Sequence, residues 1–135
     1  MKKTLLIFLI IITTFCYSQE KKMIPKEDLK KMFDNISENT TWNIKGKMLW
    51  GYFFFDENPD KLKLAAKKFE DQKYIIVDIY QTDDKTSYVL HVEKEEIHTV
   101  DSLFKRNSEL TKFANDNKLD CYDGMDVGPI KSNNK

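Results

Sequence analysis

The sequence predicts an α+β domain in which helices cover one face of an antiparallel sheet. Three observations support this fold class. Segments with apolar residues at helical spacing alternate with short runs of strand-forming residues, capping residues precede two of the helices, and a polar turn joins two consecutive strands. Because each helix has a single apolar stripe to bury, a sheet face is the surface that can cover it.

The first predicted element is a helix that follows Pro25. Apolar residues recur within it at positions i, i+3, i+4 and i+7, and acidic residues occupy its first turn, where the helix dipole favours them. The apolar residues are Leu29, Met32, Phe33 and Ile36.

The first predicted strand, residues 47–55, is dense in aromatic residues, and a second helix follows it. Asn58 is a candidate N-cap, and Pro59 fits the first helical position because no N–H is needed there. One stripe of this helix is apolar and consists of Leu62, Ala65, Ala66 and Phe69.

A hairpin and a third helix follow. Predicted strands at residues 74–80 and 87–93 are joined by a polar turn, and Thr99 caps the helix after them. The stripe of that helix consists of Val100, Leu103, Phe104, Asn107, Leu110 and Ala114. With a fourth strand near the C-terminus, the order after the first helix is β-α-β-β-α-β. That order is typical of the split βαβ, or ferredoxin-like, two-layer sandwich.

The fourth strand lies in the segment CYDGMDVGPI, which ends at a Gly-Pro pair. Gly124 is expected to form a bulge or bend at a point where a Cβ would be in the way. We expect Tyr122 to pack inward against a helix, and Asp123 and Met125 to lie on the opposite face. Asp123 and Met125 are therefore candidates for contact with a partner, and a methionine suits an adaptable contact surface. Asp126 is a further candidate.

The same segment does not match a metal site. Placing Gly124 at the sixth position of a calcium loop puts Leu119 at the first, where an acid is required. Asp120, Asp123 and Asp126 are spaced by three, so they cannot all share one face of a strand. A zinc site needs a cluster of Cys and His that the sequence does not contain. No catalytic motif appears either, and the sequence thus predicts no catalytic residue, metal ligand or cofactor.

A small extracytoplasmic ligand-binding protein or enzyme is the alternative, and it would use Cys121 and His91. It requires the two side chains to meet in space, as in a cysteine nucleophile activated by histidine. A cysteine outside such a pair is more commonly a small buried residue, so we favour a non-catalytic domain.

The aromatic strand has two apolar faces, although a two-layer sandwich covers only one with its helices. Trp50, Tyr52 and Phe54 share one face, and the residues between them share the other. The uncovered face is also expected to carry Tyr74, Ile76, Tyr80, Val89 and His91. Monomers rarely leave such a patch bare. We favour the N-terminal helix as its cover, and a partner that contacts Trp50, Tyr52 and Phe54 is the other reading.

A direct role in nucleic-acid binding is disfavoured. Base stacking on the sheet is the option to consider, as on RNA-recognition sheets, but Asp78 and Glu93 are expected on the same face. The chain has 22 basic and 22 acidic residues, without the excess of Lys and Arg typical of nucleic-acid-binding domains.

The N-terminus has the pattern of a secretory signal peptide, residues 1–18. Lys2 and Lys3 precede an apolar run, and the triplet Cys16-Tyr17-Ser18 resembles a small-x-small cleavage site. We expect an extracytoplasmic protein, periplasmic or secreted, with no stable membrane anchor after cleavage. An uncleaved anchor and a lipoprotein are the alternatives. Loss of the two lysines leaves a mature net charge of about −2.

The predicted organisation therefore has four parts. Residues 1–18 form the signal peptide, residues 19–46 a linker and the N-terminal helix, residues 47–130 the folded domain, and residues 131–135 a disordered tail. The sequence does not predict an oligomeric state.

Two segments resemble a known family, the regulators of ribonuclease E activity B, or RraB. EEIHTVDSLFKRNSELTKFANDNKLDCYDGMDVGPI resembles the C-terminal half of the family. The shared features are an acid-rich strand end, a helix with Arg106, Asn107 and Leu110, and a Tyr-Asp-Gly strand that begins at Tyr122. WGYFFFDENPDKLKLAAKKFEDQKYIIVDIY resembles the family's first strand, helix and second strand. Together they cover residues 49–130.

The resemblance implies a ferredoxin-like domain that inhibits an RNA-degrading enzyme by binding to it, with no catalysis of its own. Three features depart from the family. Met125 stands where members commonly have an aromatic residue, KSNNK replaces a strongly acidic tail, and the signal peptide directs the chain away from the cytoplasm, where ribonuclease E works. A protein partner in the envelope is therefore expected. The fold transfers more readily than the target.

Overall fold

The computed structural model describes residues 23–131 of the 135-residue chain and has the predicted alternation of helices and strands. The elements are α1 (Lys26–Asn39), β1 (Met48–Asp56), α2 (Pro59–Asp71), β2 (Ile75–Gln81), β3 (Tyr88–Glu96), α3 (Val100–Asp116) and β4 (Cys121–Gly128). The predicted α+β class with an antiparallel sheet is confirmed.

Helices α2 and α3 begin at the predicted capping residues. The side chain of Asn58 accepts a hydrogen bond of 2.9 Å from the backbone N–H of Asp60, and Pro59 is the first residue of α2. At α3, Thr99 and Ser102 cap each other, since each side chain accepts from the other's backbone N–H at 3.0 and 2.8 Å. Local polar contacts therefore set the start of both helices.

The four strands form one antiparallel sheet in the order β2-β3-β1-β4. Strand β1 lies between β3 and β4 and pairs with β3 along its whole length. Helix α2 packs against β1, β2 and β3, helix α3 against β4, and helix α1 against α3. The core face is the side of the sheet covered by these helices, and the open face is the other side. On β1 the open face carries Leu49, Gly51, Phe53 and Phe55.

The expectation that α1 folds over the open face is wrong. Phe33 of α1 stacks on Trp50 with ring centroids 6.1 Å apart. The apolar stripe of α1 joins the same buried core as Leu62 of α2 and Leu103 of α3. Because α1 needs an apolar surface for its stripe, it packs beside α3 over the end of the core face.

The predicted signal peptide and the last residues of the predicted tail, 132–135, lie outside the described residues. Among residues 23–131, no helix combines the length and the apolar character that crossing a membrane requires.

Candidate functional site

Trp50, Tyr52 and Phe54 lie at the centre of the core, each with 0% of its surface exposed. The ring of Phe54 contacts Phe69 of α2 and Tyr122 of β4, with centroid distances of 5.1 Å to both. The alternative reading, in which these three residues are exposed and contact a partner, is therefore wrong. Both faces of β1 are apolar, and the helices cover the face that these residues occupy.

Strand β4 contains the predicted bulge. Gly124 pairs with Phe53 and Tyr122 pairs with Phe54, so Asp123 is the residue inserted at the bulge. Gly124 has φ of 113°, a conformation that side chains with a Cβ rarely adopt. A Cβ added there would have no atom within 4 Å. The backbone conformation, and not crowding, is thus what favours glycine.

Tyr122 packs inward, as predicted. Its hydroxyl donates a hydrogen bond of 2.6 Å to Asn107 Oδ1 on α3. Asn107 is buried within the apolar stripe of that helix, and this bond satisfies its carbonyl group. This hydrogen bond links the edge strand β4 to helix α3, so we interpret the role of the pair as structural.

The bulge reverses the faces of the remaining residues of β4. Met125 pairs with Tyr52 and is buried in the core with 6% of its surface exposed, so its predicted position on the outer face is wrong. Asp123 is half-buried at the bulge. Asp126 lies on the open face opposite Gly51, where it remains a candidate for partner contact.

We expect Gly124→Val to lower the free energy of unfolding by about 1–3 kcal/mol, because the valine would have to adopt a strained backbone conformation. Gly128→Val on the same strand is the control, since an added Cβ there also has no atom within 4 Å and no positive φ applies. Urea unfolding measures both. Equal effects of the two substitutions would show that the conformation at Gly124 imposes no special constraint.

A second bulge lies in β2, and no feature of the amino-acid sequence indicated it. Ile76 pairs with Val92 and Asp78 pairs with His91, which makes Val77 the extra residue. Beyond this point the side chains of β2 exchange faces. Tyr80 consequently reaches the open face, as predicted.

Tyr74 and Ile76, which were expected on the open face, belong to the core side. The ring of Tyr74 contacts Phe69 with centroids 5.0 Å apart, and Ile76 packs against the core. The register places Val89 and His91 on the open face, as predicted. The error for the first two residues arises because simple alternation does not include the bulge.

The open face combines apolar and acidic side chains. Its apolar members include Leu49, Phe53, Phe55, Ile75, Tyr80 and Val89. Its acidic and histidine members on paired positions are Asp78, His91, Glu93, Glu95 and Asp126. Among the paired strand positions of residues 23–131, none on this face is a lysine or an arginine. The sequence pattern placed Asp78 and Glu93 on this face but did not show that the face as a whole is acidic.

Gly51 allows two polar side chains to lean over the middle of the sheet. A Cβ added at Gly51 would overlap Asp126 Oδ1 and would come within 2.9 Å of His91 Nε2. The His91 ring stacks on Phe53 with centroids 4.3 Å apart, and its Nε2 lies 3.6 Å from Glu93 Oε2. The carboxylates of Asp126 and Glu93 therefore flank His91 near the centre of the open face.

The electrostatics of this centre reflect its burial. Burial raises the pKa of Asp126 above its ordinary value, His91 opposes the rise, and Glu93 adds to it. Burial also raises the pKa of Tyr80, and the neighbouring carboxylates of Asp78 and Asp126 contribute in the same direction. A negative charge on Asp126 or Tyr80 is therefore costly in the free protein.

Cys121 and His91 do not form a catalytic pair in this geometry. Cys121 lies on β4 opposite Phe55, and His91 lies on β3 opposite Phe53, so β1 separates the two residues. Strand spacings put their Cα atoms about 12 Å apart, too far for a direct hydrogen bond between the side chains. Within residues 23–131, no group of three or more His, Cys, Asp or Glu is arranged to hold a metal ion.

A second polar cluster lies on the core side, at the end of β3. Glu96 Oε2 accepts a hydrogen bond from Arg106, and Glu96 Oε1 lies 2.6 Å from His98 Nε2. The same nitrogen of His98 is 3.2 Å from the hydroxyl of Tyr52. Arg106 donates to the hydroxyl of Tyr74 at 2.9 Å. The cluster joins β1, β3 and α3, and we interpret it as structural.

Only the family resemblance pointed to Arg106, and it did not connect this residue with Glu96. Burial would raise the pKa of Glu96, but hydrogen bonds from His98 and Arg106 hold that pKa below its ordinary value. The spacing of ten residues between Glu96 and Arg106 spans a helix start, so no periodic pattern could have shown the pair.

The comparisons with known proteins give one family. The model of the family described as Regulator of ribonuclease activity B matches residues 26–127. This range begins at the first residue of α1 and ends one residue before the end of β4, so it includes α1 and every strand. None of the curated proteins compared matches the chain. The match spans well over half of the chain and agrees with the two resembling segments: this protein belongs to the RraB family.

Proposed function

We propose that this protein regulates a ribonuclease by binding to it and that it performs no catalysis itself. The family match over residues 26–127 is the observation that carries this proposal. The match extends over the whole described core, including the helix that precedes β1. A regulator of this kind needs a stable domain with an exposed contact surface, and the open face provides a candidate surface.

A ferredoxin-like fold is part of the proposal. The order after α1 is β-α-β-β-α-β, and β1 and β3 lie at the centre of the sheet. Helices α2 and α3, which connect the strands along the chain, both lie on one face of the sheet. These features support the split βαβ arrangement. Helix α1 joins α2 and α3 in the helical layer on the core face, so the open face is left for a partner.

The proposal of regulation is tested with a labelled RNA and purified ribonucleases. A ribonuclease E-type enzyme is the target that the family resemblance implies, and a small pancreatic-type ribonuclease is the control for specificity. We expect the protein to slow cleavage by its target in a saturable manner while it neither cleaves nor binds the RNA. Cleavage of the RNA by the protein alone would overturn the proposal, as would equal slowing of both enzymes.

The location of the protein is a separate proposal. The support is the N-terminal sequence, in which a positive start, a short apolar run and a small-x-small triplet follow one another. A protein exported in this way would meet ribonucleases of the envelope or the exterior. Its partner would then differ from the cytoplasmic enzyme implied by the resemblance.

Export predicts a mature N-terminus near Gln19. Mass spectrometry of the protein purified from an envelope or secreted fraction measures it directly. The expected mass lacks residues 1–18, because a signal peptidase would cleave after Ser18. Recovery of intact protein with Met1 from the cytosol would contradict export and would restore a cytoplasmic ribonuclease as the expected target.

A further inference from the structure

We propose that the open face is the docking surface and that it receives a cationic, partly apolar protein segment rich in arginine or lysine. This inference rests on the proposed function, since it names the surface and the partner chemistry of the same regulator. The described helices all pack on the core face of the sheet, so on its other face the strands β1, β2, β3 and β4 have no helix over them.

The charge of the open face is of one sign. Asp78, Glu93, Glu95 and Asp126 occupy its paired strand positions, and the paired positions of residues 23–131 on this side include no lysine or arginine. The four carboxylates are distributed over β2, β3 and β4, so they lie on both sides of β1. A surface with this distribution attracts a cationic partner and repels an acidic one.

The centre of the face brings the acidic groups close together. Because Gly51 has no side chain, Asp126 reaches inward from the edge strand to the middle of the sheet, where it approaches His91 and Glu93. Partial burial of Asp126, together with repulsion from Glu93, raises the pKa of Asp126, and His91 opposes the rise. A guanidinium or ammonium group placed over Gly51 would compensate both carboxylates and so relieve this repulsion.

The apolar component of the partner follows from β2. Ile75, Val77 and Tyr80 are exposed by 53%, 44% and 42%, respectively. Ile75 and Tyr80 lie on the open face, and Val77 lies at the bulge between them. Three large exposed apolar residues on one strand indicate a contact surface. A partner segment with aliphatic residues beside its basic ones would cover them.

Two other occupants fit less well. RNA carries negative charge along its backbone, and the carboxylates of the open face would repel it. A second copy of this chain in a twofold dimer would place the same face against itself, which would bring Glu93 and Asp126 near their own counterparts. The acidic face therefore favours a cationic protein segment over both.

Binding of three short synthetic peptides to the purified protein tests the proposal. One peptide alternates arginine with leucine, the second alternates glutamate with leucine, and the third alternates arginine with serine. We expect the arginine–leucine peptide to bind most tightly, because it alone provides both features, and its affinity to fall with rising salt. Tightest binding of the glutamate–leucine peptide, or of a single-stranded RNA, would overturn the proposal.

Matched charge variants locate the binding surface. Glu93→Gln with Asp126→Asn removes carboxylates from the open face, and Glu70→Gln with Asp71→Asn removes the same charge from the exposed end of α2. We expect the first pair to weaken binding of the arginine–leucine peptide by about tenfold and the second by less than about twofold. Equal weakening by both pairs would show a general effect of net charge and would contradict a specific surface.

Thermal melting of each variant separates loss of binding from loss of fold. Should the central pair fail to fold, Asp78→Asn with Glu95→Gln provides a second test, since both residues are exposed on the same face. The ribonuclease assay distinguishes the two proposals. Selective peptide binding at the open face without any effect on a ribonuclease would refute the proposed function and leave the docking surface intact.

Discussion

Phe54→Ala is expected to lower the free energy of unfolding by about 3–5 kcal/mol, the usual cost of removing a buried aromatic side chain. Phe54 is fully buried, and its ring contacts Phe69, Phe113 and Tyr122 from two helices and a neighbouring strand. The substitution would leave a cavity where these elements meet. Urea unfolding followed by circular dichroism measures the loss.

Phe53→Ala is the matched control because it changes the same residue type at the next position of β1. Phe53 is half-buried on the open face and stacks on His91, so its loss should cost about 1 kcal/mol. If Phe53→Ala unfolds the protein and Phe54→Ala does not, the assignment of the core and open faces is reversed.

Glu96→Ala is expected to cost about 3 kcal/mol, because it leaves Arg106 and His98 without their shared carboxylate in a largely buried position. The side chains of Glu96 and Arg106 are 11% and 21% exposed. Glu95→Ala, at the adjacent and exposed position, should change the free energy of unfolding by less than about 0.5 kcal/mol. Similar melting temperatures for the two variants would mean that the cluster does not stabilise the fold.

The same residue predicts a dependence on pH. The pKa of Glu96 in the folded protein lies below its ordinary value of 4.5, so the unfolded chain binds this proton more readily than the folded protein does. The stability that Glu96 contributes is thus complete above about pH 4.5 and is lost as the pH falls through the folded pKa. Glu96→Gln should show a smaller loss between neutral and acidic pH in a series of urea titrations. An unchanged slope would contradict this role.

The sequence predicted those features that depend on local chemistry. Asn58 and Thr99 mark the helix starts because their side chains bond backbone groups within the next three residues. Apolar periodicity likewise identified the stripes of all three helices. The glycine of CYDGMDVGPI indicated the bulge, since Gly124 is the residue type suited to positive φ.

The orientation of the strands could not be predicted in the same way. Both faces of β1 are apolar, so alternation does not show which face Trp50 or Phe53 occupies. In β4, the residue inserted at Asp123 moves Met125 into the core. In β2, the extra residue is Val77, an ordinary strand former that gives no local indication of a bulge.

The candidate site depends on contacts between distant parts of the chain. Asp126 and His91 converge over Gly51 because three strands from separate segments are adjacent in the sheet. The sequence indicates that each of these residues lies in a strand. To predict that they are close together, one would also have to know the strand order and both bulges. The acidic character of the open face is consequently a property of the fold and not of any single segment.

The two bulges also have a consequence for self-assembly, because each lies in an edge strand of the four-stranded sheet. A regular edge rich in aromatic and aliphatic residues can add further chains by backbone pairing and grow into fibrils. The inserted residues Val77 and Asp123 interrupt the even spacing of amide and carbonyl groups along both edges. We therefore expect the bulges to oppose aggregation of a domain with this many apolar strand residues, since an incoming strand could not pair in register over the full length of either edge.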